Sequence, residues 1–469
     1  MVSDMTERPA GETTGAEDRT RNNRPASRGW WFATLAAVFL AYLTADLYVA
    51  KCRTDYFLRQ DGREYLAGAY SFLENGTLMT GEERYYEAPR TRDIPEAYRP
   101  PLMAFATGVL AKLLRDPLVA AAVFTALSAT LLVWAVFLAG RKLGGPLAGA
   151  ISAALAICHP LFLPFSLCFS SECPFSMLLA VFILAWVGLP APWKYPAMGA
   201  LAALACGVRP TVLLLLPAFG VFQLLRCAAS RFFRDAPSPS AGGALREYAL
   251  YAAAFLLVLS PMCIRNRVNY GTWNPAGSLG GFNLFVGNNR DNALAYRAST
   301  GREFLAHQNA GWNRAIEFAK AMPSDLSPVE QDRRFREAAM EEIRAQGPGE
   351  IARMSVMKAW HFLRPWPMRG AHSEAVFWCV CMAEALLYAF GIAGVVMIRD
   401  KRTLLLLLMM ILSVGLSAHS LVHVQLRHRI PFLDVPLILL AGVSLARLIR
   451  AGCGKVKSRL GHGAESTTP

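Results

Sequence analysis

Long apolar runs are the feature that most constrains what this chain can fold into. Residues 30–50 and 430–448 contain few charged side chains, and an apolar stretch of about 18 residues or more can cross a bilayer as a helix. Only 17% of the 469 residues are charged and 54% are hydrophobic, whereas soluble domains carry roughly a quarter charged residues. The sequence therefore predicts an all-α polytopic membrane protein and excludes a soluble globular or a disordered chain.

The positions of basic residues predict how many apolar runs cross the membrane. The sequence contains eleven such runs: residues 30–50, 100–114, 117–138, 146–165, 174–189, 196–208, 211–225, 248–262, 376–398, 404–421 and 430–448. Cytoplasmic loops are enriched in Lys and Arg, and the short basic loops share one side if residues 100–114 form a surface or half-inserted helix. We therefore expect about ten spans with both termini in the cytoplasm, or eleven if residues 100–114 cross.

Two polar blocks, residues 51–99 and 264–372, then fall outside, and amphipathic helices such as residues 330–364 are expected in them. The expected organisation follows the chain from end to end. It comprises a disordered cytoplasmic tail (1–29), an N-terminal membrane core (30–263) that includes the external loop 51–99 and a cytoplasmic linker (230–243), an external region (264–372), C-terminal spans (373–450) and a cytoplasmic tail (451–469).

Charge and cysteine content exclude other classes. The net charge is +14, with 48 Lys and Arg against 34 Asp and Glu. In a membrane protein this excess indicates basic cytoplasmic loops near anionic headgroups rather than a nucleic-acid partner. The ten Cys include several inside apolar runs, which is typical of small buried hydrophobic residues and not of a disulfide framework.

The first external block carries the first candidate site residues. Asp61, Glu64 and Tyr65 have helical spacing, so they predict a short amphipathic helix on the outer surface. From this stretch alone, an N-cap is the simpler interpretation of Asp61, since Asp is among the best caps. Arg99 precedes Pro100 and another proline that starts a helix, and it is either a site residue or a cation at headgroup level.

Further polar residues lie at the predicted outer ends of spans. Glu172 follows two serines at the mouth of a span, where capping is the alternative role. Arg209 lies between two short apolar runs, a costly place for a cation unless it faces a polar cavity or a partner. Arg427 and Arg429 precede the last span on the outer side, against the topological charge bias, which points to an anionic ligand.

Together, these residues place carboxylates and arginines on one outer face of the membrane. Arginines suit a phosphate, which at a bilayer surface is most simply a lipid phosphate, and a carboxylate suits removal of a proton from a hydroxyl. His419 and His423 are spaced i, i+4 with no third ligand nearby in sequence, so no metal site is predicted. Glu384 lies inside a span, where it is either functional or paired across the bundle.

The order of these motifs resembles the GT-C glycosyltransferases of the protein O-mannosyltransferase and aminoarabinose transferase superfamily, in particular bacterial members like those of family 39. The resemblance covers roughly residues 30–450 and rests on motif order and topology. The matching motifs are Asp61 with Tyr65, Arg99-Pro100-Pro101, Glu172, Arg209-Pro210, Arg265-Asn266 through Gly287-Asn288-Asn289, and Arg427-His428-Arg429-Ile430-Pro431. One departure is that the family's acidic pair in the first loop is here Asp61-Gly62, with Glu64 as the next carboxylate.

The resemblance implies a GT-C bundle in the bacterial inner membrane that takes a monosaccharide from a polyprenyl-phosphate donor. Transfer to an envelope lipid, glycan or protein would be inverting and would take place on the external face. The roles it implies are as follows: catalytic carboxylates Asp61, as general base, and Glu172; donor-phosphate ligands Arg265, Arg427 and Arg429; cavity residues Glu64, Tyr65, Arg99, Arg209, Asn266 and Asn288.

Two other functions remain open. A flippase or transporter of lipid-linked sugars would show inverted repeats and broken helices at mid-membrane, and only residues 196–225 look broken. A polymerase of envelope polysaccharide would share the external loops but transfer whole oligosaccharides. The expected partners are the lipid-linked donor, membrane lipids and the acceptor, with no organic cofactor and with the need for a metal left open.

Overall fold

The computed structural model describes residues 28–59, 61–78, 99–228, 240–275, 277–323, 325–369, 373–416, 422 and 425–464. All regular elements in these residues are helical, which confirms the all-α prediction. The predicted tail 1–29 falls outside the described residues except for its last two positions, as do most of the linker 230–243, residues 79–98 of the first polar block and both His419 and His423.

The first half of the chain contains a long apolar helix, two short helices of the first polar block, and the helices that follow that block. Its helices are α1 (Arg28–Cys52), α2 (Thr54–Phe57), α3 (Gly62–Asn75), α4 (Leu102–Leu114), α5 (Pro117–Gly144), α6 (Pro146–Ile157), α7 (Leu163–Ser166), α8 (Glu172–Gly188), α9 (Ala191–Cys206), α10 (Leu215–Ala228, after a 3₁₀ turn at Pro210–Leu214) and α11 (Ala241–Tyr270).

The second half contains an inserted helical region and the closing helices. These are α12 (Gly280–Asn288), α13 (Arg290–Ala295), α14 (Gly301–Lys320), α15 (Pro328–Leu363), α16 (Glu374–Met397), α17 (Lys401–Met410, continued by a π-turn at Ile411–Leu416) and α18 (Val435–Ala464, preceded by a 3₁₀ turn at Leu426–His428 and a π-turn at Ile430–Asp434).

Six helical segments among the described residues are long and apolar enough to cross a membrane, as expected for a multi-pass membrane protein. They are Phe32–Cys52, Pro117–Gly144, Pro210–Ala228, Ala241–Tyr270, Glu374–Met397 and Ile430–Cys453. Three further apolar helices are shorter, namely Leu102–Leu114, Pro146–Ile157 and Glu172–Gly188. With 13 residues, α4 is shorter than the roughly 17–25 residues of a full crossing, but α6 has only 12, so the placement of α4 as a surface or half-inserted helix stays a prediction. The total of about ten spans stays a prediction.

Helix α5 is the central element of the bundle. It packs against α1, α4, α6, α8 and α18, and its buried face is rich in alanine, with Ala121, Ala126 and Ala129 completely buried. Small side chains let neighbouring helix backbones approach closely, which is how helices gain packing energy in a membrane without a hydrophobic driving force.

Glycines make two of the other helix contacts still closer. A Cβ atom at Gly199 of α9 would lie 2.1 Å from the carbonyl oxygen of Tyr251 in α11. A Cβ atom at Gly394 of α16 would lie 2.2 Å from the carbonyl oxygen of Leu440 in α18. Neither position can accept a side chain without separating the two helices.

Helices α12 to α15 form a compact unit, which we call the cap region (residues 277–323 and 325–369). Phe282, Phe285 and Phe335 pack edge to face or tilted in its main core, and Tyr296 with Phe304 packs in a second core. The predicted boundary at residue 264 is shifted, because α11 continues to Tyr270 before the cap region begins. The helix predicted over residues 330–364 is present within α15, and α14 precedes it.

The end of the bundle opposite the cap region is basic. There Arg447 donates to the carbonyl of Met397 and Arg450 donates to the carbonyl of Gly144 at 3.0 Å. Arg226 pairs with Glu247 at 2.6 Å at the same end. The short basic loops thus gather on one side of the bundle, as the positive-inside prediction requires.

Candidate functional site

Asp61 lies at the start of α3, and its carboxylate faces a cavity between the bundle and the cap region. Its backbone is helical (φ −78°, ψ −8°) and its side chain makes no capping hydrogen bond, so the N-cap interpretation is wrong. Instead, Arg99 donates from Nη2 to Asp61 Oδ1 at 3.0 Å. Arg99 therefore binds a carboxylate and is not merely a cation at the headgroup level.

The residue after Asp61 explains the departure from the family's acidic pair. A Cβ atom at Gly62 would lie 2.4 Å from the carbonyl oxygen of Phe169, so a carboxylate side chain does not fit there. Glu64, one half-turn further along α3, accepts from Arg99 Nε at 2.5 Å. The second carboxylate of this loop thus reaches the same arginine from a different position.

Glu172 is the centre of a second ion-pair group, at the start of α8. Its side chain is buried and accepts from Arg209 Nη2 at 2.5 Å, while Arg427 Nη1 lies 3.1 Å from the same oxygen. Arg209 also donates to the Ser171 hydroxyl from Nε and Nη2, at 3.0 and 2.8 Å. Ser171 makes no capping hydrogen bond to α8, so the serine orients an arginine.

The two groups carry opposite net charge among the described residues. Asp61 and Glu64 share the one cation of Arg99, which sums to −1. Arg209 and Arg427 share the one carboxylate of Glu172, which sums to +1. Within the described part of the chain, the cavity is therefore polarised, with a carboxylate side that can accept a proton and an arginine side that can hold an anion.

The ionisation of Asp61 follows from this arrangement. Burial alone raises the pKa of the Asp61 carboxyl, but the positive charges of Arg99, Arg427 and Arg209 outweigh burial and hold that pKa below its usual value. Asp61 is therefore ionised at neutral pH. Burial raises the pKa of the neighbouring Tyr65 phenol to about 12, so Tyr65 is a neutral hydrogen-bonding group.

The cap region supplies the opposite wall of the cavity. Phe282 and Trp312 meet edge to face, with ring centroids 5.2 Å apart, and both line the cavity together with Asn283. Asp332 of α15 fixes this wall by accepting the backbone N–H of Gly281 at 2.6 Å. The cavity volume is about 280 Å³, near the lower end of the roughly 300–1,000 Å³ typical of pockets for drug-sized ligands.

The structure brings most of the predicted site residues together. Asp61, Tyr65, Arg99, Arg209 and Arg427 line the cavity. The remaining two members of the ion-pair groups, Glu64 and Glu172, lie behind that lining and hold its arginines. Sequence reasoning missed Trp312, because a single tryptophan in an amphipathic helix carries no signal that distinguishes a cavity wall from a core.

Besides Glu64 and Glu172, three predicted site residues lie outside the cavity lining. Arg265 donates to Asn266 Oδ1 at 3.1 Å, and Asn266 in turn donates to the carbonyl of Asn274 at 2.8 Å, which fixes the connection from α11 to the cap region. Asn288 accepts from Lys358 Nζ at 3.0 Å and ties α12 to α15. The motif that contains Arg265, Asn266 and Asn288 therefore organises the cap region, because these side chains form hydrogen bonds with the backbone and with other side chains there.

Arg429 is the last of the predicted site residues outside the cavity lining. It is completely buried beneath the cavity, where its Nε donates to Asp434 Oδ1 at 2.9 Å and its Nη2 donates to Glu384. His159 Nε2 lies 3.3 Å from the same Glu384 carboxylate. The prediction that Glu384 is either functional or paired across the bundle thus resolves to pairing.

His159, Glu384 and Asp434 form the one group of three potential metal ligands within the described residues. Their chemistry does not fit a metal ion. The Phe162 backbone N–H donates to His159 Nδ1 at 3.2 Å, so the ring proton is on Nε2, the nitrogen that would have to bind the ion. Arg429 also pairs with Glu384 Oε2 and with Asp434 Oδ1, so its positive charge would lie against that of a bound ion.

Comparison with known proteins shows a family similarity in one segment of the chain. Residues 98–264 match the family described as dolichyl-phosphate-mannose-protein mannosyltransferase, a segment that includes Arg99, Glu172 and Arg209. No curated protein matches the chain by sequence. The resemblance to this superfamily is thus confirmed over the segment from Arg99 to the end of the N-terminal membrane core.

Solved structures show the fold. The apo oligosaccharyltransferase of Archaeoglobus fulgidus is similar with a TM-score of 0.50 at 13% identity, over 90% of this chain and 52% of that one; this chain thus spans about half of its length. ArnT from Cupriavidus metallidurans bound to undecaprenyl phosphate aligns over 90% of this chain and 79% of its own, with 17% identity and a TM-score of 0.40. The archaeal AglB in complex with an inhibitory peptide and a dolichol-phosphate gives 0.49 at 12% identity, over 94% and 53%. The predicted GT-C fold is confirmed.

Proposed function

We propose that this protein is an integral membrane glycosyltransferase that moves one monosaccharide from a polyprenyl-phosphate donor to a hydroxyl group of an envelope lipid, glycan or protein. The observation that carries the proposal is the polarised cavity. It has a carboxylate for an acceptor hydroxyl on one side and two arginines for a phosphate on the other. The matching family is named for a lipid-phosphate sugar donor, which supports the same donor class.

In the proposed reaction, the acceptor oxygen attacks the anomeric carbon from the side of Asp61 and the bond from that carbon to the phosphate oxygen breaks. The acceptor proton passes to the Asp61 carboxylate, and the bonding electron pair leaves with the polyprenyl phosphate. Arg209 and Arg427 stabilise the charge that develops on the departing phosphate. Because attack and departure take place on opposite faces of the sugar, the anomeric configuration inverts.

Glu172 is proposed to set the position of both arginines. Its buried carboxylate binds Arg209 and Arg427 through the same oxygen, which places two guanidinium groups side by side before the donor arrives. Such pre-organised cations can neutralise a leaving phosphate without a metal ion. We therefore propose a reaction that needs no cofactor.

The size of the cavity supports a single sugar as the transferred group. A volume of about 280 Å³ is large enough for one sugar ring with its phosphate, the group that the proposed reaction transfers. Phe282 and Trp312 present apolar ring faces and edges to the C–H groups of a sugar, and Asn283 offers an amide to its hydroxyls.

The orientation is also part of the proposal. The basic end of the bundle would face the cytoplasm of a bacterial inner membrane, which puts both termini inside and the cavity with the cap region outside. A polyprenyl-phosphate sugar would then reach the cavity from the bilayer, and the acceptor would approach from the external side.

The test is sugar transfer in proteoliposomes from a panel of polyprenyl-phosphate sugars, with Asp61→Asn compared with wild type. We expect the substitution to lower the rate about 10²–10⁴-fold, the usual contribution of a general base. The matched control is Asp55→Asn, which changes an exposed carboxylate of the same segment that pairs with Arg63 at 2.9 Å. Transfer that survives in Asp61→Asn contradicts the role of Asp61, and movement of lipid-linked sugar without transfer contradicts the enzyme.

A further inference from the structure

A group of four buried polar side chains lies beneath the cavity and takes no part in the proposed reaction. We call it the Arg429 cluster: Arg429, Glu384 and Asp434 are completely buried, and His159 is 4% exposed. They come from different parts of the chain. Glu384 belongs to α16, His159 follows α6, and the other two belong to the segment that leads into α18.

The Arg429 guanidinium is held from three directions. Besides the Asp434 and Glu384 carboxylates, it donates from Nη1 to the backbone carbonyl of Arg364 at 2.6 Å. Asp434 lies five residues further along the same segment, whereas Glu384 and Arg364 belong to a membrane helix and to the end of the cap region. The cluster therefore ties the segment before α18 to two other parts of the protein.

Stability alone does not account for such a cluster. Removing charges from water costs several kcal/mol per ion, and well-packed apolar side chains of similar volume often stabilise a protein as much as a buried ion pair does. What a buried ion pair supplies is a defined geometry, because an arginine with three directional acceptors has one position. A cluster of this kind therefore fixes the position of the chain segment that carries Arg429.

The group that depends on it is Arg427. It precedes Arg429 by two residues, and its guanidinium lies 3.1 Å from Glu172 at the cavity. Arg427 lies in a 3₁₀ turn, Leu426–His428, which ends just before Arg429. One arginine therefore faces the cavity and the other faces the bundle. Further along, Phe432 packs edge to face on Phe175 of α8, with ring centroids 5.4 Å apart.

We propose that the Arg429 cluster is a positioning device that holds Arg427 against Glu172 and thereby shapes the cationic side of the cavity. Arg429 touches no substrate and acts through Arg427. The proposal rests on the proposed function only for the consequence of that positioning, which is tighter binding of the lipid phosphate. The positioning itself can be tested without any ligand.

The first test is a double-mutant cycle on the melting temperature of the full-length protein in detergent without ligand, with Arg427→Ala and Arg429→Lys. A lysine keeps the charge but cannot satisfy two carboxylates and a carbonyl in fixed directions. If Arg429 holds Arg427 in its ion pair, Arg427→Ala lowers the melting temperature in the wild-type background and has little further effect in Arg429→Lys. Equal decreases in both backgrounds would overturn the proposal.

The matched control is Arg226→Lys. Arg226 is also an arginine in a buried ion pair, 6% exposed and 2.6 Å from Glu247, but it lies at the basic end of the bundle. Its substitution should be additive with Arg427→Ala. Glu384→Gln is the second variant of the cluster, because it removes the charge while it keeps the shape of the side chain and one hydrogen-bond acceptor. Its effect on the melting temperature should be non-additive with that of Arg427→Ala, in the same direction as for Arg429→Lys.

The second test measures binding of undecaprenyl phosphate to the same variants. Arg427→Ala should weaken binding about tenfold in the wild-type background, the effect of one charge-assisted hydrogen bond, and less than about twofold in Arg429→Lys. The same factor in both backgrounds overturns the positioning role. If Arg427→Ala leaves binding unchanged while the ligand-free cycle is still non-additive, the positioning stands and the proposed phosphate role of Arg427 falls.

Discussion

Substitution of Arg99 by glutamine should move the acidic limb of the pH–rate profile to higher pH. Arg99 is the nearest cation to Asp61, at 3.0 Å, and both side chains are mostly buried, with 15% and 8% of their surface exposed. The positive charges of Arg99, Arg427 and Arg209 overcome the effect of burial and hold the pKa of Asp61 below its usual value. When the nearest of these charges is removed, the remaining two offset the effect of burial less completely, so the pKa of Asp61 rises.

The magnitude follows from the ion-pair geometry. Two unit charges about 4 Å apart interact with about 4 kcal/mol at an effective dielectric constant of about 20. Since one pKa unit corresponds to about 1.4 kcal/mol, loss of this interaction can raise the pKa of Asp61 by at most about 3. An arginine beside an aspartate typically lowers the pKa of that aspartate by about 1–3 units, and Arg427 and Arg209 remain in the variant. We expect the acidic limb to rise by about 1–2 units.

The assay is kcat/KM for sugar transfer in proteoliposomes between pH 4 and 9, because the limbs of this profile report groups of the free enzyme. Wild type should keep full activity down to about the usual pKa of an aspartate, near 4. Arg99→Gln should begin to lose activity at a higher pH than wild type and should recover it as the pH rises further.

The control changes the same residue type to the same substitute at an exposed ion pair. Arg63→Gln removes a cation that lies 2.9 Å from Asp55, where the two side chains are 49% and 96% exposed. Exposed pairs interact weakly, so its profile should match wild type. An unchanged acidic limb in Arg99→Gln, or an equal shift in Arg63→Gln, would refute the argument that the Asp61–Arg99 pair sets this pH dependence.

Two further predictions concern stability. Burial lowers the pKa of Lys358 to about 7 from its usual value near 10.4. Between about pH 7 and 10 the unfolded chain therefore binds a proton at this lysine more readily than the folded protein does. The free energy of unfolding should rise with pH across that window, by about 4–5 kcal/mol in total. Melting temperatures at pH 7–9.5 should show this rise in wild type but not in Lys358→Met; parallel curves would contradict it. Gly199→Ala should lower the melting temperature, at a cost of about 1–3 kcal/mol, because the added Cβ would lie 2.1 Å from the Tyr251 carbonyl oxygen; an unchanged melting temperature would contradict the close packing of α9 on α11.

The sequence was sufficient for the membrane fold and for much of the site. Long apolar runs have few alternatives to helices in a bilayer, since every backbone polar group must be hydrogen-bonded within its own segment or barrel. Charged residues at span ends are costly without partners, which made Glu172, Arg209 and Arg427 candidates, and only together with Asp61 did they indicate a site. Their convergence on one face followed from the topology.

The sequence was not sufficient to distinguish neighbours within a motif. Arg427 and Arg429 are two residues apart and chemically identical, yet the first lines the cavity and the second is completely buried against Glu384. The direction of each side chain depends on the 3₁₀ turn that contains Arg427 and ends just before Arg429. The carboxylate partners come from α8 and α16, and no local pattern predicts either of them.

The sequence by itself therefore determined the class of protein, the helical architecture and the residue types available for chemistry, because hydrophobic length and the cost of buried charge act locally along the chain. Only the tertiary structure decided which arginine meets which carboxylate, because an ion pair depends on distances between residues that lie far apart in sequence. Glu172 and Arg209 are 37 positions apart in sequence. They come within 2.5 Å because α9 packs against both α8 and the 3₁₀ turn before α10, and this ion pair gives the cavity its cationic side.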